Sequence, residues 1–160
     1  MPISTTVQEI RKEARKTAAT VLEVHWDGMV PVDPILLARA LGVSVFNSEL
    51  DDDTRGMLIG SNGSADIYLN PNQPYVRHRF LCAHALGYYV NPQNDLGPHT
   101  GYVYSRNDSN VRSPHEIYAH EFAASLLMPE SEFQKAVSSG NSLISIAHDF
   151  KVPLSIVRSR

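Results

Sequence analysis

The sequence has little of what secreted, membrane-spanning or nucleic-acid-binding proteins usually carry. Its single cysteine, Cys82, cannot form an intramolecular disulfide, which is typical of proteins in a reducing cytoplasm. No apolar run approaches the roughly 18 residues of a membrane span, and no basic segment followed by an apolar one indicates a signal peptide. The net charge of −3 gives no overall attraction to nucleic acid. These absences predict a cytoplasmic protein with no membrane partner, and they make direct nucleic-acid binding the weakest of the possible functions.

The rest of the composition is that of an ordinary globular chain, with 42% hydrophobic and 19% charged residues. A chain of 160 residues is long enough to close one sizeable core, so we expect a single domain over 1–160. Helical and strand patterns divide it into N-terminal helices with a small sheet (1–70), a helix pair (74–127) and C-terminal helices (129–160). The sequence therefore predicts an α+β fold.

Capping and turn residues predict where the elements begin and end. Thr6, the Asp33-Pro34 pair and Ser113 are each suited to begin a helix. The segments Gly56 to Gly60 and Ala65 to Leu69 flank turn-forming residues and predict a β-hairpin. The segment 91–112 is rich in Gly, Pro, Asn, Asp and Ser, so it is predicted to be a long surface loop.

Two segments suggest surfaces as well as structure. The basic stretch 11–16 is interpreted as a solvated helix face, and the neighbouring Glu9 and Glu13 make a nucleic-acid contact the weaker alternative.

The C-terminal segment 143–157 has the residue spacing of a helix-turn-helix. We interpret it as a packed helical pair, with a partner-binding surface as the next option and DNA binding as the least favoured. The side chains predicted to face inward are Ile144, Ala147, Phe150, Val152 and Ile156.

The segment Arg79–Val90 carries the most informative pattern in the chain. Zinc peptidases of the zincin class place His-Glu-x-x-His on a helix, where two histidines four apart bind zinc and the glutamate polarises the bound water. Here the first histidine is His84, but Ala85 occupies the glutamate position and Tyr88 the second histidine position. The position of His84 on this helix indicates a peptidase fold, whereas Ala85 and Tyr88 in place of the glutamate and the second histidine argue against ordinary peptidase chemistry.

A third zinc ligand can come from a second helix, and Glu116 is the candidate. The alternative is structural, because Ser113 and Glu116 have the spacing of a capping box with Pro114 at the first helical position. Taken alone, Glu116 would be interpreted as a capping residue. The two segments together favour the site.

At these residues the chain resembles the ImmA/IrrE family of zinc metallopeptidases. Typical members carry Arg-Phe-Thr-x-Ala-His-Glu-Leu-Gly-His and, about thirty residues later, Glu-x-x-Ala-Asn-x-Phe-Ala-x-x-Leu-Leu-Met-Pro. The resemblance spans nearly the whole chain. The matching residues are Arg79, Phe80, Ala83, His84, Leu86 and Gly87 in the first phrase, and Glu116, Ala119, Phe122, Ala123, Leu126, Leu127, Met128 and Pro129 in the second.

The resemblance implies a zincin-like fold, in which a small sheet packs on the active-site helices and the C-terminal region is helical. It implies that His84 matches the first zinc ligand and Glu116 the third, while Ala85 replaces the general base and Tyr88 the second ligand. His120 stands where the family has asparagine. It further implies a role in bacteria, phages or mobile elements, where such peptidases cleave or relieve helix-turn-helix repressors.

A rebuilt zinc site is conceivable, because Glu116 and His120 share one helix face, as do His84 and Tyr88. His84, Glu116 and His120 would then be the ligands, with the Tyr88 oxygen as a further one. The preferred interpretation is that zinc binds weakly or not at all, because one histidine ligand is lost. Cys82 is interpreted as a small buried core residue rather than a nucleophile.

The predicted function is therefore that of a metallopeptidase-fold pseudoenzyme with a degenerate zinc site. It would bind a protein partner, a helix-turn-helix transcriptional regulator, without efficient cleavage. Two enzyme alternatives stay open. The chain could be an inactivated variant of an active zinc endopeptidase, with Ala85 and Tyr88 introduced, or a weak hydrolase with a rebuilt metal site.

Overall fold

A computed structural model describes residues 5–51, 53–61, 64–93, 101–105 and 113–160 of the chain. The described residues form seven helices and one four-stranded sheet. The helices are α1 Val7–His25, α2 Pro34–Ala40, α3 Tyr75–Val90, α4 Pro114–Leu127, α5 Glu130–Ser138, α6 Leu143–Phe150 and α7 Leu154–Arg158. The strands are β1 Val43–Asn47, β2 Thr54–Ser61, β3 Ser64–Leu69 and β4 Gly101–Ser105. The predicted α+β class is confirmed.

The predicted helix caps are present. The Thr6 hydroxyl accepts a hydrogen bond from the Glu9 amide at 3.1 Å, and the Glu9 carboxylate accepts one from the Thr6 amide at 3.2 Å. This reciprocal capping box satisfies amides that have no partner inside the helix. Asp33 caps α2 with its side chain alone, which accepts hydrogen bonds from the amides of Ile35 and Leu36.

The sheet has the order β1-β3-β2-β4. The predicted hairpin is confirmed, because β2 and β3 pair antiparallel, although residues 62–63 of its loop lie outside the described residues. β1 pairs parallel with β3. The prediction of a continuous loop over 91–112 is wrong, since β4 lies within it and pairs antiparallel with β2. Residues 94–100 and 106–112 of that segment lie outside the described part of the chain.

Helix α3 occupies the centre of the fold. It contacts β2 and β3 on one side and packs against α4 on another, while α1 covers α4. Every residue from Arg79 to Gly87 is buried, as expected for a helix that is enclosed by other elements. Although α3 is largely apolar, none of the helices in the described ranges is long and apolar enough to cross a bilayer.

The buried Arg79 guanidinium joins three parts of the chain. Its side chain is within the core, and it donates hydrogen bonds to the carbonyl groups of Val32 at 2.6 Å, Phe150 at 3.4 Å and Lys151 at 3.1 Å. A buried charged group needs such hydrogen-bond partners because its transfer out of water otherwise costs free energy. Arg79 therefore anchors the segment before α2 and the end of α6 to α3.

The C-terminal region is helical, as predicted, but one of its inward-facing residues was assigned incorrectly. Ala147, Phe150, Val152 and Ile156 are buried. Ile144 is 71% exposed, and Ile146 is the buried residue instead, at 1% exposure. The helix begins after the Ser142 cap with a phase that turns Ile144 outward and Ile146 inward. The prediction for Ile144 is therefore wrong.

Gly87 allows α3 and α4 to approach closely. A methyl group added there would lie 2.9 Å from the Ala119 Cα and 3.1 Å from a Phe122 ring carbon, closer than packed atoms normally approach. We expect Gly87→Ala to lower the free energy of unfolding by about 1–3 kcal/mol through overpacking. Urea denaturation followed by circular dichroism measures this change.

The exposed Thr20→Ala variant on α1 is the control, expected to change the free energy of unfolding by less than about 0.5 kcal/mol. A Gly87→Ala variant as stable as this control would contradict the close helix packing.

Candidate functional site

His84 on α3 and Glu116 on α4 face each other across the helix pair. Their nearest atoms, His84 Nε2 and Glu116 Oε1, are 3.1 Å apart. The His84 side chain is 1% exposed and that of Glu116 is 30% exposed. Since an ionised carboxylate only accepts hydrogen bonds, His84 Nε2 carries a hydrogen and donates a hydrogen bond to Glu116.

The Tyr88 hydroxyl donates a hydrogen bond to the second oxygen of the same carboxylate, Oε2. Tyr88 lies one turn after His84 on α3, so both side chains reach α4 from the same helix face. The rings of His84 and Tyr88 are also in contact, with centroids 5.4 Å apart. We call His84, Tyr88 and Glu116 together the Glu116 cluster.

Glu116 does not use its carboxylate as a helix cap. The Ser113 hydroxyl accepts a hydrogen bond from the Glu116 amide at 3.1 Å, which is one half of a capping box. The other half would require the carboxylate to turn back to Ser113, whereas both of its oxygens are bonded to α3. Ser113 therefore begins the helix, and the Glu116 carboxylate is available to the cluster.

The surroundings of Glu116 favour its charged form. Burial alone would raise the pKa of Glu116, but the hydrogen bond and charge of His84 and the hydrogen bond from Tyr88 outweigh it, and the net pKa is lowered. The carboxylate is therefore ionised at neutral pH. The cluster combines one fixed negative charge with two hydrogen-bond donors.

Two neighbouring side chains on α3 offer no acid–base or nucleophilic chemistry. Ala85 is 2% exposed and presents only a methyl group at the position where the resemblance implies a general base. Burial raises the pKa of Cys82 to about 12, so its thiol stays protonated at neutral pH. Cys82 is a buried core residue, in agreement with its predicted role.

The donors present do not fit a catalytic zinc ion. Such sites use three protein ligands and keep one position open for water. Within the described residues, no group of three or more His, Cys, Asp or Glu side chains is placed to hold a metal. The cluster supplies one imidazole and one carboxylate, and the hydroxyl of Tyr88 is directed to that carboxylate as a donor.

His120 is not brought into a three-donor group with His84 and Glu116, although the spacing of Glu116 and His120 on α4 made one conceivable. The His120 ring packs edge-on against the Phe80 ring, with centroids 5.6 Å apart. Burial, followed by the nearby charge of His84, lowers the pKa of His120 and keeps it neutral. The sequence also gave no sign that Tyr88 would bind the Glu116 carboxylate, because a tyrosine on a helix face is usually a packing residue.

We expect Tyr88→Phe to lower the free energy of unfolding by about 2 kcal/mol, because a hydrogen bond to a charged acceptor is lost. Tyr118→Phe is the matched control, since the Tyr118 hydroxyl donates to the neutral Thr17 hydroxyl at 2.8 Å. The control should lose only about 1 kcal/mol. Chemical denaturation of both variants measures the difference. A smaller loss for Tyr88→Phe than for Tyr118→Phe would contradict a charged acceptor.

The lowered pKa of Glu116 also predicts a pH dependence of stability. Because this pKa is lower in the folded state, the contribution is complete above the unfolded carboxyl pKa of about 4.3 and is lost as pH falls through the folded value. Glu116→Gln should therefore be less stable than the parent at pH 7, with a difference that shrinks in acid. Denaturation at a series of pH values measures this. Glu23→Gln, an exposed change on α1, is the reference, and a pH-independent difference for Glu116→Gln would refute the prediction.

Comparison with known proteins adds the family. The family model Peptidase_M78, described as the IrrE N-terminal-like domain, matches residues 38–160. The match includes α3, α4 and all three members of the Glu116 cluster, whereas α1 lies before it. A search of curated proteins found no match. Because the family match covers most of the sequence, the chain belongs to the IrrE N-terminal-like family of peptidases.

Proposed function

We propose that this chain is a zincin-like metallopeptidase-fold protein that binds a helix-turn-helix transcriptional regulator without efficiently cleaving it. One observation carries the proposal. The Glu116 carboxylate, at the position that the family resemblance assigns to the third zinc ligand, is bonded through both oxygens to His84 and Tyr88. The residues that would hold a metal are engaged with one another.

Two separate defects argue against turnover. A positioned general base typically contributes about 10²–10⁴-fold to a rate, and Ala85 can neither accept nor deliver a proton. Zinc sites rely on three or four protein donors, and replacing a histidine by Tyr88 leaves the cluster with too few. We therefore propose that zinc binds weakly or not at all. Restoring either feature alone would leave the other defect in place.

The Glu116 cluster gives a reason why the fold persists without metal. A bound zinc ion would join α3 to α4 through its ligands. Hydrogen bonds to a charged carboxylate are about twice as strong as those between neutral groups and can join the helices in its place. The bonds from His84 and Tyr88 join the same two helices through the same carboxylate. The helix pair and its neighbouring surface can thus be retained after the chemistry is lost.

A retained surface can still bind a protein. Binding energy does not depend on the general base, so a substrate-like partner can be held without being cut. Membership of the family supports a peptidase ancestry. The resemblance described above supports a helix-turn-helix regulator as the partner, in a bacterial, phage or mobile-element setting.

The test uses the purified chain and each helix-turn-helix regulator that the source genome encodes near it. Isothermal titration should give a Kd tighter than about 100 μM, equivalent to roughly −5.5 kcal/mol. Incubation of the two proteins with added zinc should leave the regulator intact on a gel. The metal content of the freshly purified chain should be far below one zinc per chain.

The matched comparison is the double variant Ala85→Glu/Tyr88→His, which restores His-Glu-x-x-His in an otherwise identical chain. We expect this variant to retain zinc through dialysis against a mild chelator, since it regains the missing ligand. Cleavage of the regulator by the unaltered chain, or stoichiometric zinc in it, would overturn the proposal. Binding weaker than about 100 μM would remove the regulator as partner.

A further inference from the structure

A concave surface lies beside α1, and the residues that line it do not include the Glu116 cluster. It has a volume of about 790 Å³ and is formed by α1, α4, α5 and the last residues of the chain. We call it the basic groove because cations dominate its walls. These cations are Arg11, Lys12, Arg15, Lys16 and Arg160.

The charge of the basic groove is opposite to that of the whole chain. Five cationic and two acidic side chains line it, a net charge of +3, whereas the chain carries −3. Both acidic residues are already paired: Glu121 with Arg15 at 2.9 Å and Glu130 with Arg160 at 2.6 Å. The excess positive charge therefore resides on the three remaining cations.

Those three cations, Arg11, Lys12 and Lys16, are exposed along one side of α1. Among the described residues, none of them forms an ion pair with a carboxylate. Lys12 and Lys16 are four residues apart on α1, a spacing at which like charges repel. The basic residues of the stretch 11–16 are exposed, as predicted for a solvated face, but they also form a wall of the groove, which the sequence did not indicate.

We call the apolar part of the groove lining its floor. Ala19 and Leu22 from α1 and Phe133 from α5 form it, and the lining also includes the polar residues His120, Ser125 and Gln134. The Arg160 guanidinium lies 4.9 Å from the centre of the Phe133 ring, a cation–π contact that holds this side chain over the floor. A ligand suited to this surface needs negative charge at its edges and an apolar centre.

We infer that the basic groove binds an acidic amphipathic segment of a protein partner. Such a segment can place carboxylates against Arg11, Lys12 and Lys16 and an apolar side chain on the floor, as helices do when they bind in grooves. A nucleic acid fits less well, because its continuous phosphates would approach Glu121 and Glu130 and gain nothing from Leu22 or Phe133.

The inference does not depend on the loss of peptidase chemistry. Four of the groove's five cations belong to α1, which lies outside the residues matched by the family model, whereas Arg160 and the lining residues from α4 and α5 lie within the match. The groove would bind its segment equally well beside an active or an inactive zinc site.

The experiment measures fluorescence anisotropy of a labelled peptide of about 15 residues, long enough for a helix to form, with Glu on one face and Leu on the other. The matched probe replaces each Glu by Gln. The full chain should bind the Glu peptide at least tenfold tighter than the Gln peptide. The affinity should fall as salt rises, because salt screens exposed charges.

Arg11→Gln/Lys12→Gln/Lys16→Gln should weaken binding of the Glu peptide at least tenfold. Arg39→Gln, an exposed change on α2 outside the groove, should leave it unchanged. Glutamine is compatible with a helix, and circular dichroism verifies the fold of each variant. Equal binding of both peptides, or no effect of the triple substitution, would overturn the inference. Displacement of the peptide by duplex DNA at lower concentration than by unlabelled peptide would also overturn it, in favour of nucleic acid.

Discussion

The close contact between α3 and α4 at Gly87 positions the side chains of the candidate site. Gly87 lies one helical turn after His84, and Ala119 one turn after Glu116, so the point where the helices approach is adjacent to the point where their polar side chains meet. With no side chain at Gly87, the backbones come near enough for a histidine and a glutamate to bond directly at 3.1 Å. A wider separation would need an ion or water between them.

The charged carboxylate of Glu116 lies between α3 and α4, and both of its oxygens accept hydrogen bonds there. A carboxylate that is largely removed from water requires partners, and α3 supplies one on each oxygen. The same arrangement ties up the atoms that a metal would need. Under the proposed function, structural support and metal binding would compete for Glu116, and the hydrogen bond from Tyr88 would favour support.

Local patterns predicted most of the fold. Thr6, Asp33 and Ser113 revealed helix starts because capping depends on a few neighbouring atoms. β4 was missed because its Tyr-Val-Tyr core, which favours a strand, stands among residues typical of loops. Ile144 was misplaced because a short helix near a cap can satisfy more than one inward phase.

The candidate site was predictable in its positions but not in its bonding. The spacing of His84 and Tyr88, together with the later Glu116, predicted that they belong to one site. Whether Glu116 would cap its own helix or reach α3 depended on the distance between two helices, which no local pattern specifies. The basic groove also could not be predicted from local patterns, since Arg15 and Arg160 come to line the same surface only in the folded chain.

The buried guanidinium of Arg79 has a consequence for how the molecule opens. Its carbonyl partners come from Val32 and from Phe150 and Lys151, segments that are remote from each other in sequence. If the end of α6 detached alone, the buried Arg79 guanidinium would lose its hydrogen bonds to the carbonyl groups of Phe150 and Lys151. Fraying of the C-terminal helices is thereby discouraged unless the centre of the molecule loosens as well. Phe150 and Lys151, which are 71 and 72 positions from Arg79, thus share in the cooperative unit that holds the helix of His84 in place.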